Sequence, residues 1–425
     1  MWCDEILRCG CRRHPAHLEV ALPICAVLRY DAGVIKRTLL PHLAKLAKRF
    51  PIVTVTGPRQ SGKTTLCRAA FPKHAYVSLE APDVRDHARV DPRGFLSELR
   101  GGAVIDEVQR VPELLSFLQV EVDARPQRGR FVLTGSANLL LLQSVSQSLA
   151  GRSAIVNLLP CGYEEVRRFP RPPEDMAEVL RSGGYPAIFD RGIEPGDWFA
   201  SYITSYVERD VRQVLNVGDL VLFQTFLRLS AGRTGQLLNL SQLGADCGVS
   251  HHTARSWLSV LEASFVTLRL PPFFANVGKR LTKTPKLYFY DTGLACALLG
   301  IRDGDQLRHH PLRGALFENW VVTEILKARV HRGLAGGLFF LRDARGAEID
   351  LLVEAGKRLI AVEAKSGSTV ASDFFTSFGR LDDVLAAALS GRVQENVLIF
   401  GGDTGQRRSS ARVLSWREVP GFGWQ

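Results

Sequence analysis

The stretch that decides the fold of this chain is Gly57-Pro58-Arg59-Gln60-Ser61-Gly62-Lys63-Thr64. It has the pattern G-x-x-x-x-G-K-T, and the β-branched run Ile52–Thr56 directly precedes it. Residues 64–70 then have the apolar spacing of a helix. A strand, a glycine-rich turn and a helix in this order are typical of a loop that holds phosphate groups with its backbone N–H groups. We therefore predict a phosphate-binding loop at this position.

Each residue type in this loop suits phosphate binding, so we expect nucleotide contacts from Gly57 through Thr65. The two glycines let the backbone curl so that its N–H groups point inward. Lys63 would bring positive charge to the β- and γ-phosphates, and the Thr64 hydroxyl would bind Mg²⁺. The following helix adds the positive end of its dipole. The expected ligands are ATP and Mg²⁺.

An acidic pair follows a second apolar strand, Ala103–Ile105. Asp106 would bind Mg²⁺ through water, and Glu107 would orient and polarise the attacking water. An apolar strand that ends in Asp-Glu is common by itself. Behind a phosphate-binding loop, the pair indicates the second half of a hydrolytic site.

Further apolar strands alternate with helical or loop stretches up to Pro160, which predicts a parallel sheet covered on both faces. The strand candidates beyond those above are Tyr76–Leu79, Phe131–Leu133 and Ile155–Leu159. Residues 135–138, Gly-Ser-Ala-Asn, follow one of them and either contact the γ-phosphate or begin a helix with Ser136 as N-cap.

Arg152 has two interpretations: an arginine finger that reaches a neighbouring subunit, or an ordinary surface arginine. The first would require a homo-oligomer. The sequence contains no N-K-x-D motif of the kind that recognises guanine, which favours ATP over GTP.

Composition indicates a globular protein, with 46% hydrophobic and 23% charged residues. The net charge of +11 is concentrated in two stretches, 1–50 with nine basic and four acidic residues, and 251–300 with six and two. Such stretches bind nucleic acid or are simply solvated faces. The scattered cysteines favour a reducing cytoplasm, and no apolar run is long enough for a membrane span.

Residues 240–262 have the pattern of a helix-turn-helix, with Gly248-Val249-Ser250 as the turn. Two strand-like runs follow, and between them lie the basic residues Lys279, Arg280 and Lys283. The pattern predicts a winged helix with a basic wing that contacts DNA, or a winged helix used only for packing.

The C-terminal part carries a second candidate site. Two strands, Glu348–Val353 and Leu359–Lys365, are joined by a tight turn at Gly356. Asp350, Glu363 and Lys365 would meet at this hairpin, and Glu318 on the helical segment 316–328 would complete the cluster. Such a group can hold Mg²⁺ and orient water against a phosphodiester, with Glu363 and Lys365 as catalytic residues. The alternative is a solvent-exposed face of the hairpin.

Together these features resemble the AAA-type ATPases of bacteria and archaea that carry a C-terminal domain of unknown function. The resemblance covers residue 34 to the end. It rests on 57–65, 104–108, 133–136, 150–152, Gly183-Gly184-Tyr185-Pro186 and Tyr206-Val207-Glu208-Arg209-Asp210. It implies an α/β fold with an AAA-like P-loop NTPase parallel sheet, followed by a winged helix and a restriction-endonuclease-like α/β domain similar to the PD-(D/E)xK nucleases.

The expected domains are an atypical N-terminal extension (1–33), the ATPase core (34–160), a helical linker or lid (161–235), the winged helix (236–300) and the nuclease-like domain (301–425). We expect an ATP-hydrolysing protein that couples its nucleotide state to a C-terminal DNA-handling module. The alternatives are a magnesium-dependent nuclease regulated by ATP and a non-enzymatic, nucleotide-dependent DNA-binding switch.

Overall fold

The structure, a computed structural model, describes residues 34–136, 148–207, 220–273, 284–343, 346–380 and 393–425. The predictions for residues 1–33, for 137 and 138, for 208–210 and for the basic residues of the wing (279, 280 and 283) concern residues outside these ranges. Within them, no helix is both long and apolar enough to cross a membrane.

The N-terminal part contains a five-stranded sheet in which every pairing is parallel, with the order β2-β3-β4-β1-β5. The strands are β1 Ile52–Thr56, β2 Ala75–Ser78, β3 Ala103–Asp106, β4 Phe131–Thr134 and β5 Ser153–Asn157. All residues of β1, β3 and β4 are buried, as expected for a parallel sheet covered on both faces. The predicted parallel sheet is confirmed.

Successive residues of β1 face opposite sides of the sheet, so the two faces carry separate apolar clusters. On one face, Val53 and Val55 pack with Leu43 and Leu66. On the other, Ile52 belongs to the cluster built around the helices from Pro92 to Ala124. The helices of this part are Leu40–Ala47, Lys63–Ala70, Pro82–Val90, Pro92–Glu98 and Leu114–Ala124, with a 3₁₀ turn at Val108–Arg110.

The strand predicted at 155–159 instead ends at Asn157. The Leu158 N–H still donates to the Thr56 carbonyl at 2.8 Å. Leu159 does not pair with β1, because its N–H donates to His331 and its carbonyl accepts from Arg37. This exit segment, residues 158–163, leads the chain from the sheet into the helical part.

The middle part is mostly helical and contains the short antiparallel pair β6 Thr267–Leu270 and β7 Lys286–Phe289. Its helices are Tyr163–Val166, Met176–Ser182, Pro186–Arg191, Pro195–Tyr202, the π-helix Ile203–Val207, Leu220–Ala231, Leu240–Cys247, His251–Ala263, Thr292–Leu298 and Gly304–Arg308. Ser250, the last residue of the predicted turn, caps the following helix by accepting a hydrogen bond from the Thr253 N–H. The two helices and two strands expected there are present, and their identity as a winged helix stays a prediction.

The C-terminal part begins with the long helix Arg313–Val330 and continues into a six-stranded mixed sheet with the order β12-β13-β11-β10-β9-β8. The strands are β8 Leu338–Arg342, β9 Glu348–Ala355, β10 Arg358–Lys365, β11 Val393–Phe400, β12 Gln406–Arg407 and β13 Arg412–Ser415. Shorter helical pieces are Ser372–Phe375, Thr376–Arg380 and Trp416–Gly421. The predicted hairpin is the antiparallel pair β9–β10, turned by Gly356 at φ +61°.

One apolar cluster runs through both the middle and the C-terminal parts, from Cys161 to Trp424. The helix Arg313–Val330 is buried on most sides and lies at the centre of this cluster. The segments 161–235, 236–300 and 301–425 therefore share a core, and their boundaries stay a prediction.

Candidate nucleotide-binding loop and a second acidic site

The loop after β1 requires glycine at both ends. Gly57 has φ +142°, and a Cβ placed on it would lie 2.2 Å from the Leu158 carbonyl oxygen. Gly62 has φ +90° and begins the helix Lys63–Ala70. Both glycines thus permit a backbone path that an L-residue would resist. This path brings the start of the helix to the carboxyl end of β1, where a phosphate group would meet its N–H groups.

Lys63 lies under the loop and is 6% exposed. Its ammonium donates to the Pro58 carbonyl at 2.7 Å and to the Gly57 carbonyl at 3.1 Å. Burial lowers the pKa of Lys63 to about 8, although the charges of Glu107 and Asp106 act to raise it. An anion beside this ammonium would favour its charged form.

Asp106 ends β3 next to the loop, and three hydroxyl groups converge on its carboxylate. The Thr64 Oγ1 lies 3.0 Å from Oδ2 and the Tyr76 hydroxyl donates to the same oxygen at 2.8 Å, while Thr134 donates to Oδ1. Burial and the Asp106 charge raise the pKa of Tyr76 to about 12, which keeps this phenol a donor. A hydroxyl and a carboxylate side by side form the oxygen donor set that suits Mg²⁺.

Glu107 follows in a left-handed conformation, with φ +58°. This turn brings its carboxylate to Gln109 and Ser136: the Gln109 amide donates to Glu107 Oε2 and, at 3.1 Å, to the Ser136 hydroxyl. The Ser136 hydroxyl lies 3.4 Å from the same carboxylate oxygen. The structure therefore brings Ser136 to the predicted water-orienting residue, whereas the helix that it was expected to cap lies outside the described residues.

Arg152 lies far from the loop. It precedes β5, so it is at the amino-terminal edge of the parallel sheet, opposite the edge that carries residues 57–64. Its guanidinium forms a bidentate ion pair with the Asp123 carboxylate, with N–O distances of 2.6 and 2.7 Å. It cannot reach the loop of its own chain, and a role towards another subunit stays a prediction.

The predicted C-terminal cluster is assembled by three elements. Lys365 and Glu363 extend from β10, with Lys365 Nζ 2.7 Å from Glu363 Oε2 and 3.9 Å from Asp350 Oδ2. Asp350 on β9 also accepts a hydrogen bond from the Ala364 N–H at 2.9 Å. Glu318 comes from the helix Arg313–Val330, and its carboxylate lies within 4.8 Å of oxygens of Glu348 and Asp350. The structure thus brings the four predicted residues together.

Two residues of β7 also enter this acidic site, and no local sequence pattern marks either of them. Lys286 is 2% exposed and contacts Glu348 and, at 2.8 Å, Glu318. The Tyr288 hydroxyl donates to Glu318 at 2.5 Å. The middle part of the chain therefore supplies a cation to the acidic site of the C-terminal part.

The carboxylates of this site repel one another in a buried setting. Burial, together with the Asp350 charge, raises the pKa of Glu318 to about 7 and that of Glu363 to about 8. Glu363 is 1% exposed, and its Oε1 accepts no hydrogen bond from the described residues. A bound cation would favour the ionised form of both groups and give this oxygen a partner.

A buried ion network links the loop to the rest of the chain. The Arg37 guanidinium donates to the Ser61 carbonyl at 2.6 Å and to the Leu159 carbonyl at 2.7 Å, and its Nε lies 3.1 Å from Glu165. His331, directly after the helix Arg313–Val330, accepts a hydrogen bond from the Leu159 N–H at 3.1 Å. Burial lowers the pKa of His331 to about 3, so its ring is neutral and can accept this bond.

Several members of these sites could not be identified from the sequence. Tyr76 and Thr134 lie on neighbouring strands, and only the strand order brings them to Asp106. Of the two, only Thr134 could have been suspected from the sequence, because it is the polar residue that ends the apolar strand β4. Arg37 and Lys286 were counted only as parts of basic stretches, because no local pattern marks a buried cation.

Comparison with known proteins divides the chain into three matched regions. Residues 49–167 match the family described as AAA domain, and 173–305 and 313–419 match two domains of unknown function, DUF8612 and DUF4143. Over 339 residues the chain is 35% identical to Uncharacterized protein Mb2031c of Mycobacterium bovis and to Uncharacterized protein Rv2008c of Mycobacterium tuberculosis. These alignments cover 79% of this chain and 74% of each relative.

Similar solved structures are more remote. The Walker-type ATPase PABY2304 of Pyrococcus abyssi has a TM-score of 0.46 and 16% identity, covering 64% of this chain and 98% of that chain. AMPPCP-bound DnaA from Aquifex aeolicus has a TM-score of 0.29 and 12% identity, covering 53% and 86%.

Proposed function

The chain belongs to the family of AAA-domain proteins that includes the two mycobacterial relatives, and we propose that it binds ATP with Mg²⁺ at residues 57–65 and hydrolyses the ATP. The observation that carries this proposal is the arrangement of Lys63, Thr64 and Asp106 at the carboxyl end of β1 and β3. A cation, a hydroxyl and a carboxylate meet there beside the first N–H groups of a helix. Such a group matches the charges of a magnesium-bound triphosphate.

Each side chain has a defined task in this mechanism. Lys63 would exchange its carbonyl partners for phosphate oxygens and stabilise the charge that develops on them. Thr64 and Asp106 would hold the Mg²⁺, which neutralises phosphate charge when it is bound. Glu107 would orient the attacking water, with Gln109 and Ser136 fixing its carboxylate. Tyr76 and Thr134 would fix Asp106 in the same way.

The test separates binding from hydrolysis. Lys63→Ala should lose ATP affinity, whereas Glu107→Gln should keep affinity and lose turnover, since the first removes phosphate contacts and the second only the water-orienting group. Fluorescent-nucleotide titration and phosphate release measure the two quantities. Retained ATP affinity in Lys63→Ala would refute the proposal.

A second candidate function concerns the acidic site of the C-terminal part. The supporting observation is the convergence of Glu318, Asp350, Glu363 and Lys365, with a buried carboxylate oxygen of Glu363 that accepts no hydrogen bond from the described residues. Four carboxylates, counting Glu348, surround one end of this sheet, and they would bind Mg²⁺ or Mn²⁺ through oxygen. We propose that this module handles DNA, as a nuclease-like site at residues 301–425 beside a winged helix at 236–300. Nucleotide state at the loop would control it.

In this proposal Lys365 would stabilise charge on a phosphodiester oxygen, and Glu363 would hold the cation and accept a proton from water. Incubation of supercoiled plasmid with Mg²⁺ or Mn²⁺, with and without ATP, tests it. Nicking should disappear in Glu363→Ala and Lys365→Ala and persist in the exposed-site control Lys357→Ala. Salt-dependent DNA binding without any cation-dependent nicking would instead favour the non-enzymatic, nucleotide-dependent switch.

A further inference from the structure

The buried network around Arg37 lies between the phosphate-binding loop and the C-terminal part. We infer that Arg37 is a positioning residue for this loop, and that Glu165 and His331 link it to the helix Arg313–Val330. The inference rests on the nucleotide binding proposed above. It adds a structural route that couples the C-terminal module to the loop.

Arg37 fixes the orientation of one peptide unit in the loop. Its guanidinium donates to the Ser61 carbonyl at 2.6 Å. In a trans peptide the carbonyl and the following N–H point in opposite directions, so holding the Ser61 oxygen turns the Gly62 N–H away from Arg37. Gly62 precedes Lys63 at the start of the helix, where N–H groups bind phosphate. Arg37 therefore acts on the loop without touching a ligand.

The exit segment, residues 158–163, connects this arginine to the sheet. Arg37 also donates to the Leu159 carbonyl at 2.7 Å. The neighbouring Leu158 carbonyl lies so close to Gly57 that a Cβ there would approach it to 2.2 Å. The segment thus contacts one end of the loop directly and the other end through Arg37. A shift of this segment would move both ends.

Glu165 holds Arg37 in place from the side away from the loop. Its Oε1 lies 3.1 Å from Arg37 Nε and accepts a hydrogen bond from the Thr38 N–H, while Oε2 accepts one from the Gly162 N–H at 3.1 Å. Burial acts to raise the pKa of Glu165, but the charge of Arg37 and the hydrogen bond from the Thr38 N–H hold it at about 2. Arg37 is 5% exposed and Glu165 is 1% exposed, so water cannot replace either charged group as the partner of the other.

The helix Arg313–Val330 and His331, which directly follows it, contact the same segment through three buried polar side chains. His331 accepts from the Leu159 N–H, Lys327 donates to the Cys161 carbonyl at 3.3 Å, and Glu324 accepts from the Tyr163 N–H at 2.7 Å. Lys327 and Glu324 also form an ion pair with each other at 3.1 Å. Hydrogen bonds depend on direction, so these contacts fix one position of the helix relative to the exit segment, which an apolar contact would not do.

The opposite end of this helix carries Glu318, a member of the acidic site. Glu318 and His331 are thirteen positions apart, or roughly 20 Å along a helix. A rigid helix that is held at both ends transmits a shift at one end to the other. Cation or substrate binding at the acidic site would therefore alter the position of Leu159 and Arg37, and nucleotide binding would act in the reverse direction.

Arg37→Lys tests the positioning role in the full-length protein. Lysine keeps the charge beside Glu165 but cannot span both carbonyls. We expect ATP affinity to fall roughly ten-fold or more, as for the loss of a hydrogen bond from a charged donor. The neighbouring exposed Lys36→Gln is the control and should bind as the wild type does. An effect on thermal stability with unchanged ATP affinity would overturn the positioning role.

His331→Gln tests the link from the C-terminal side and leaves Arg37 in place. It should also weaken ATP binding, and its effect should be non-additive with that of Arg37→Lys, because both act through Leu159. The exposed His309→Gln is its control. Additive effects, or unchanged ATP affinity in His331→Gln, would overturn the link.

Hydrogen exchange gives a readout that is independent of affinity. ATP should increase the protection of residues 313–331 in the wild type, and much less in Arg37→Lys at saturating ATP. Equal protection in both proteins would contradict the link. Failure of the wild type to bind ATP at all would instead refute the proposed function, so the two failures are distinguishable.

Discussion

Raising the pH should destabilise the C-terminal part through Glu363, and Glu363→Gln should remove this effect. Burial and the neighbouring Asp350 raise the pKa of Glu363 from 4.5 to about 8 in the folded protein. An acid with a raised pKa holds its proton in the folded state over a pH range in which the unfolded chain has already lost it. Its contribution to stability is therefore complete below the unfolded pKa and decreases as the pH rises to the folded pKa.

The magnitude follows from the separation of these pKa values. Between pH of about 6 and about 9, the unfolded glutamate stays ionised while the folded one loses its proton near pH 8. Over roughly two pH units the folded state therefore holds a proton that the unfolded state lacks. At ~1.4 kcal/mol per unit, this lowers the free energy of unfolding by about 3 kcal/mol. Glutamine has no proton to lose in this range. The difference in unfolding free energy between pH 6 and pH 9 should therefore shrink by about this amount in Glu363→Gln.

Urea unfolding at constant ionic strength, followed by tryptophan fluorescence, measures this difference. Comparison with the variant cancels the contributions of other groups, such as His331 and Lys63, whose lowered pKa values make stability rise with pH. The exposed Glu98→Gln is the matched control and should keep the wild-type pH dependence. Identical pH profiles for wild type and Glu363→Gln would refute the assignment of Glu363 as a buried, protonated acid.

Three further predictions concern the loop and the acidic site. Glu107→Gln should lower the rate of ATP hydrolysis about 10²-fold or more with ATP affinity kept, measured by phosphate release; equal turnover would exclude Glu107 as the water-orienting residue. Gly57→Ala should lower the free energy of unfolding, measured with urea, by about 2 kcal/mol or more, since its Cβ would meet the Leu158 carbonyl. Gly101→Ala is the control and should have no such effect, because a Cβ there lies in open space. Lys286→Met should lower the free energy of unfolding by about 2 kcal/mol or more at pH 8, since it leaves Glu318 and Glu348 without their shared cation. The loss should be smaller at pH 5, and Lys357→Met is the control.

The sequence was most informative where chemistry and local pattern coincide. The strand before the loop, the helix after it and the acidic end of β3 were all found, because each has a continuous apolar run with a fixed motif beside it. The hairpin β9–β10 was found for the same reason, and its carboxylates do converge with Glu318. The end of β5 was placed two residues late, because the apolar run continues beyond the paired residues: Leu158 still packs with Val53 and Val55, and the Leu159 backbone bonds to side chains instead of to β1.

Contacts between distant segments could not be found in this way. Arg37 and Glu165 are 128 positions apart, and Lys286 reaches Glu318 from a different part of the chain. Buried charges have no periodic signature, since their partners are set by the tertiary arrangement. The same arrangement gives the middle and C-terminal parts a shared apolar core, which no local motif indicates.

Calorimetric titration of ATP in the presence of Mg²⁺ tests the central claim, binding at residues 57–65, most directly. It would compare the wild type with Lys63→Ala and with Lys73→Ala, an exposed lysine just beyond the loop helix. Wild type and Lys73→Ala should bind equally, and Lys63→Ala should bind roughly 100-fold more weakly or not at all, since it loses the buried charge that faces the phosphates. Equal affinity in all three proteins would contradict the account.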